Sequence, residues 1–163
     1  MRSIAYLLIG LMTLVLQGTL VPALVSGPWL PNLILVWIIL LAALRSRRVA
    51  LWTAIIGGIL HDTVISNFFG LHLFPYVIVA YALSSWAPRM YQEQWYLSSL
   101  TVALGTLLDG LLRMGLLWTM DTHFACIPYF MNFTLPEIIA NAIIAIGVHW
   151  ILWRFAPKVE YRW

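Results

Sequence analysis

ALWTAIIGGILHDTVIS, residues 50–66, is an apolar stretch of helical length that carries an ionisable pair, His61 and Asp62, near its far end. Taking every fourth residue gives Ala50, Ala54, Gly58, Asp62 and Ser66, which share one face of a helix because positions four apart stack above one another. That face is small at first and then acidic. A helix turned toward lipid has no use for such a stripe. One packed against protein wants small side chains for close backbone approach and hides a carboxylate from hydrocarbon. The stretch reads as the middle of a membrane bundle.

Composition agrees. Of 163 residues, 63% are hydrophobic and only 9% charged, where an ordinary soluble domain has about a quarter of its residues charged. A single cysteine, Cys126, makes no internal disulfide and defines no metal framework. With so few charges, the net +3 records which loops face the cytoplasm rather than a nucleic-acid surface. The opening run after Met1-Arg2-Ser3, IAYLLIGLMTLVLQGTLV, is longer than the roughly 7–15 residues of a signal-peptide core. It is expected to be a first membrane helix.

Six apolar segments are expected: Ile4–Leu24, Trp29–Leu44, Val49–Ile65, Leu71–Trp86, Tyr96–Met120 and Leu135–Trp153. The second and fourth are short for a hydrocarbon core of about 30 Å. Pro28, Pro31, Pro75, Pro88 and Pro136 fall at or near the ends, where proline is tolerated. With the N-terminus inside, Arg2, Arg45, Arg47, Arg48, Arg89, Arg154, Lys158 and Arg162 all lie on the cytoplasmic side, and Arg113 alone lies within a helix. Retention of positive charge on that side predicts six helices in one domain, 1–163, with both termini cytoplasmic. The longest connection, Asp121–Thr134, is expected to lie along the outer interface or against a partner.

The first, third and fifth segments run the same way, and Gln17, Asp62 and Asp109 sit at matching depth in them. The fifth repeats the small-then-charged face as Thr101, Gly105, Asp109 and Arg113. Arg113 is one turn beyond Asp109, so the two can neutralise each other on one helix, and Asp62 is expected to share that arginine. In the sixth segment Glu137, Asn141, Ala145 and His149 form another four-spaced face. Thr134-Leu-Pro-Glu137 fits a capping box, which assigns Glu137 to the helix start. Asn141 lies deeper and is suited to bonding a neighbouring helix, whereas His149 near the cytoplasmic end suits a capping or snorkelling role. Gln17, Asp62, Asp109, Arg113 and Asn141 form the expected intramembrane polar cluster. Ala50, Ala54, Gly58, Thr101 and Gly105 form the expected helix-packing or partner face. His61 and His72 lack a third ligand at metal spacing, and no phosphate loop, nucleotide fingerprint or nucleophile set is present.

Pro31-Asn32-Leu33 opening an apolar helix, the basic turn Arg45-Ser-Arg-Arg48, GGILHD at 57–62, Gly70-Leu71-His72 and Tyr76…Ala80-Tyr81 together resemble the rod shape-determining membrane protein MreD family. Gln17, Asp109 and Asn141 fall where that family usually has Gln, Asp and Asn. His61 departs from it, since an aliphatic residue is more usual there. The resemblance implies a non-catalytic, multi-pass scaffold of the bacterial cytoplasmic (inner) membrane, without cofactors, that acts in cell-wall elongation and cell-shape regulation. Its implied partners are the bitopic MreC and, through it, the actin-like MreB, the glycosyltransferase RodA and a class B penicillin-binding protein, with homo-oligomerisation left open. The family's fold is similar to the substrate-binding subunits of energy-coupling-factor transporters, so the alternative is a small-solute, vitamin-like binding subunit.

Overall fold

The structure, a computed structural model, describes residues 12–20, 23, 30–44, 47–66, 68–86, 94–120 and 124–155. Helix α1 covers 12–20 and closes on a π-helical turn at Leu16–Leu20; α2 is Leu33–Leu44, α3 Arg47–Val64, α4 Leu73–Trp86 and α5 Trp95–Met120. Helix α6, Cys126–Tyr129, runs through a second π-helical turn, Phe130–Thr134, directly into α7, Leu135–Phe155. No strand occurs among the described residues. Of the first expected segment, residues 4–11, 21–22 and 24 lie outside them, as do Arg2, Arg45, Arg89, Lys158 and Arg162.

Helix α2 is the axis. Every residue from Ile34 to Ala43 is buried, Leu35, Ile38 and Ile39 completely, because α3, α4, α5 and α7 all pack against it. Its sequence, LILVWIILLAAL, is apolar on every side, as a helix surrounded by protein requires. Around it α3 pairs closely with α4, and α5 with α7. The pairings rest on small residues. A methyl group on Gly58 would stand 2.6 Å from the Leu73 Cα, and one on Gly105 would stand 2.6 Å from the Ile39 Cδ1. Ala50 and Ala54 are fully buried and Thr101 nearly so. Both small-residue faces are thus spent inside the bundle.

The molecule is inverted relative to a soluble protein. Trp52, Phe69, Phe74, Trp118, Ile127 and Ile143 are all more than half exposed, while Asn32, His61, Asp62, Asp109, Arg113, Glu137 and Asn141 are buried. An apolar exterior around an interior polar set suits hydrocarbon surroundings, where backbone and side-chain polar groups need internal partners. Among the described residues two helices, Trp95–Met120 and Cys126–Trp150, are long and apolar enough to cross a membrane, while Leu33–Ala43 and Leu73–Ser85 are shorter apolar helices.

The connection expected at Asp121–Thr134 is instead helical from Cys126 onward. Pro136 explains how. It has no N–H and its ring crowds the carbonyl one turn earlier, so the helix widens into the π turn at Phe130–Thr134 instead of ending. The π turn at Leu16–Leu20 likewise precedes a proline, Pro22, by two positions in sequence.

Candidate functional site

A helix that starts inside a protein must find partners for its first N–H groups, which have none within the helix. The start of α2 finds them in three side chains. Asn141 Oδ1 accepts from the Asn32 N–H at 2.7 Å, Gln17 Oε1 accepts from Leu33 N–H at 2.7 Å, and Asn32 Oδ1 accepts from Leu35 N–H at 3.1 Å. Gln17 also donates to the Pro31 carbonyl at 2.9 Å, and Asn141 to Thr106 Oγ1 at 3.1 Å. This junction accounts for two amides set in otherwise apolar helices. They bring α1 and α7 to the head of α2 and tie it onward to α5.

The start of α4 is served by Asp62. Its carboxylate accepts from the backbone N–H groups of Gly70 at 2.7 Å, His72 at 3.0 Å and Leu73 at 3.0 Å, and lies 2.9 Å from His72 Nδ1. A carboxylate accepting several N–H groups at a helix N-terminus is favoured by both hydrogen bonding and the helix dipole. The turn depends on Gly70, whose φ of 99° is open to glycine without strain.

The two junctions are joined through aromatic rings. His72 stacks on His61, with ring centroids 4.0 Å apart and planes 10° from parallel. His61 Nδ1 lies 2.7 Å from the Tyr76 hydroxyl, which donates to Asn32 Oδ1 at 2.9 Å. Proton positions along this chain follow from donors that have no choice. The Leu35 N–H meets the Asn32 side chain, so that atom is oxygen. Tyr76 then spends its one proton on the same oxygen and accepts from His61 Nδ1–H. His72 Nδ1–H donates to Asp62 by the same logic.

A third group links α5 and α7. Arg113 Nε lies 2.8 Å from Asp109 Oδ2, one turn back on α5, and Arg113 Nη2 donates to Glu137 Oε2 on α7 at 2.5 Å. Asp109 is fully buried, and Arg113 and Glu137 nearly so. Gly110 is what lets the helices meet here, since a methyl group on it would collide with Thr134.

The expected cluster is therefore divided. Gln17 and Asn141 belong to the head of α2, Asp62 to the head of α4, and Asp109 with Arg113 to the α5–α7 ion group. Asp62 makes no ion pair with Arg113, because its oxygens are committed to the turn after α3. Glu137 does not cap a helix start, since the helix continues through Thr134 and frees the carboxylate for Arg113. His149 is buried, not snorkelling, with Nδ1 2.8 Å from Ser98 Oγ. Asn32, His61, His72, Tyr76 and Thr106 were not among the expected site residues. A usable signal existed for Asn32, which stands one residue before an apolar helix that has no other capping side chain.

On the surface, Arg47 Nη2 donates to Ser85 Oγ at 2.7 Å with its guanidinium 5.0 Å from the centre of the Tyr81 ring, joining the start of α3 to the end of α4. Between α4 and α5 lies an open groove of about 300 Å³ lined by Phe74, Pro75, Ile78, Leu111, Leu112, Gly115, Leu116 and Thr119. It is apolar, and none of the buried charged groups lines it. No group of three or more metal-ligating side chains occurs among the described residues.

Compared with known proteins, residues 1–159 match the family model described as rod shape-determining protein MreD. No curated protein and no solved structure matches.

Proposed function

The chain belongs to the MreD family of rod shape-determining proteins, bacterial membrane proteins with a role in cell shape, and from that membership we propose that it works as a non-catalytic scaffold of the cell-wall elongation machinery. It does so by holding a fixed bundle in the inner membrane against which the bitopic MreC docks, and through MreC it reaches MreB, RodA and a class B penicillin-binding protein. Six spans with both termini cytoplasmic follow from the placement of lysine and arginine. The observation that carries the reading is the inward turn of the polar groups. Gln17, Asp62, Arg113 and Asn141 bond to other parts of this chain, while the outer surface is apolar and suited to lipid and to other membrane helices.

The solute-binding alternative needs polar groups turned toward a cavity, whereas the groove between α4 and α5 is apolar. The test is recovery of the tagged chain from its own membrane after gentle solubilisation. A fixed ratio of MreC in the recovered complex supports the scaffold. Recovery with an ATPase-linked membrane subunit, or with a tightly held small molecule and no MreC, overturns it.

A further inference from the structure

The ion group between α5 and α7 does not balance. Two carboxylates, Asp109 and Glu137, face one guanidinium, Arg113, and all three are buried. The formal sum is −1 − 1 + 1 = −1. An uncompensated charge sealed from water is expensive, and proteins neutralise such a group in preference to holding it. Glu137 Oε2 accepts a hydrogen bond from Arg113 Nη2 and Asp109 Oδ2 lies 2.8 Å from Arg113 Nε, but Asp109 Oδ1 is buried without a hydrogen-bond partner.

We propose that the Asp109–Arg113–Glu137 group is a proton-binding site, holding one exchangeable proton on Asp109. A proton is the smallest ligand that supplies the missing charge, because one neutral carboxyl beside one carboxylate leaves Arg113 balanced. The other titratable groups of the packed elements include His61 and Asp62 on α3, His72 just before α4, Tyr76 on α4, the half-buried Tyr129 on α6 and His149 toward the far end of α7; α2 carries none. His61, His72 and Tyr76 are bonded or stacked among themselves and to Asp62 and Asn32 at the α3–α4 junction, so the missing positive charge falls to the carboxylates. Loss of the proton restores the unbalanced charge at the contact between α5 and α7, which makes that contact responsive to pH.

Infrared spectroscopy of the full-length protein in lipid nanodiscs at neutral pH tests this. The expected spectrum has a protonated-carboxyl band that shifts on isotopic labelling of aspartate and is lost in Asp109→Asn. The same band is also expected to be lost in Glu137→Gln, although Asp109 is intact, because one carboxylate then balances Arg113. Thermal unfolding provides a second reading: wild-type stability falls once the pH is raised enough to remove the Asp109 proton, and Asp109→Asn abolishes that dependence. Absence of the band in the wild type, or its persistence in folded Glu137→Gln, overturns the proposal. So does a stabilisation by sodium ions that Asp109→Asn removes, which would assign the missing charge to a metal cation.

Discussion

Asp62 and Gly70 are joined by a 2.7 Å hydrogen bond from the Gly70 N–H to Asp62 Oδ2, so the last carboxylate of one helix fastens the turn that starts the next. Two further backbone N–H groups and one imidazole share the same carboxylate. Asp62→Asn keeps the shape but removes the charge and one acceptor. Each buried donor left unpaired costs about 1–3 kcal/mol, and a loss in that range is expected in thermal or denaturant unfolding of the purified protein. Because Asp62 does not touch Arg113, the double variant with Arg113→Gln is expected to show additive losses. A recovery of stability in the double variant would mean that the two charges are coupled after all.

Removing Asn141 is expected to strand an amide. Asn141→Leu leaves the buried Asn32 N–H without its acceptor and Thr106 without its donor, at a cost of about 1–3 kcal/mol. Gln17→Leu acts on the same helix start through Leu33. Amide hydrogen exchange at Asn32 and Leu33 distinguishes the two: the first variant is expected to deprotect Asn32, the second Leu33.

Arg113→Gln leaves Glu137 buried beside Asp109 without its cation, and a loss of about 3–5 kcal/mol is expected, the range for breaking a buried ion pair by removing one partner. Reintroducing balance should restore much of it. The triple change Asp109→Asn, Glu137→Gln and Arg113→Gln is expected to be more stable than Arg113→Gln alone, as measured by the unfolding midpoint.

Glycines separate inner from outer contacts. Gly58→Ala is expected to cost about 1–3 kcal/mol through overpacking, because the new methyl group would press on the Leu73 backbone at 2.6 Å. Among the described residues, apart from the adjacent stretch of its own helix, nothing lies within 4 Å of a methyl group on Gly115 or Gly147. Gly115 lines the open groove, and glycine is the weaker helix former, so Gly115→Leu is expected to leave the unfolding midpoint of the isolated protein no lower than that of the wild type. A drop in recovered MreC with that variant would place the partner helix at the α4–α5 groove.

Much of this architecture is legible in the chain because hydrocarbon makes polar residues conspicuous. The small face of Ala50, Ala54 and Gly58 announces a close helix contact, and Asn141 announces a hydrogen bond across helices. What spacing cannot give is the identity of the recipient. Asp62 serves amides 8 to 11 positions ahead through a turn whose shape depends on one left-handed glycine, and no helical periodicity encodes that. Glu137 is misread for a different reason. Its capping-box pattern is a local rule that assumes a helix begins at Thr134, whereas Pro136 is absorbed by a π turn and the helix has begun at Cys126. Once the helix runs through, the same carboxylate is free to reach Arg113.

Helix α2 has 12 residues and spans about 18 Å at 1.5 Å per residue, well short of the roughly 30 Å of a bilayer core. Its opening amide is closed by Asn141, 109 positions later in the chain. During synthesis that amide is therefore exposed until the final helix has been made and inserted. The bundle is sealed late at its centre, and a nascent chain stopped before α7 carries an open helix head, with an unpaired N–H that hydrocarbon makes costly.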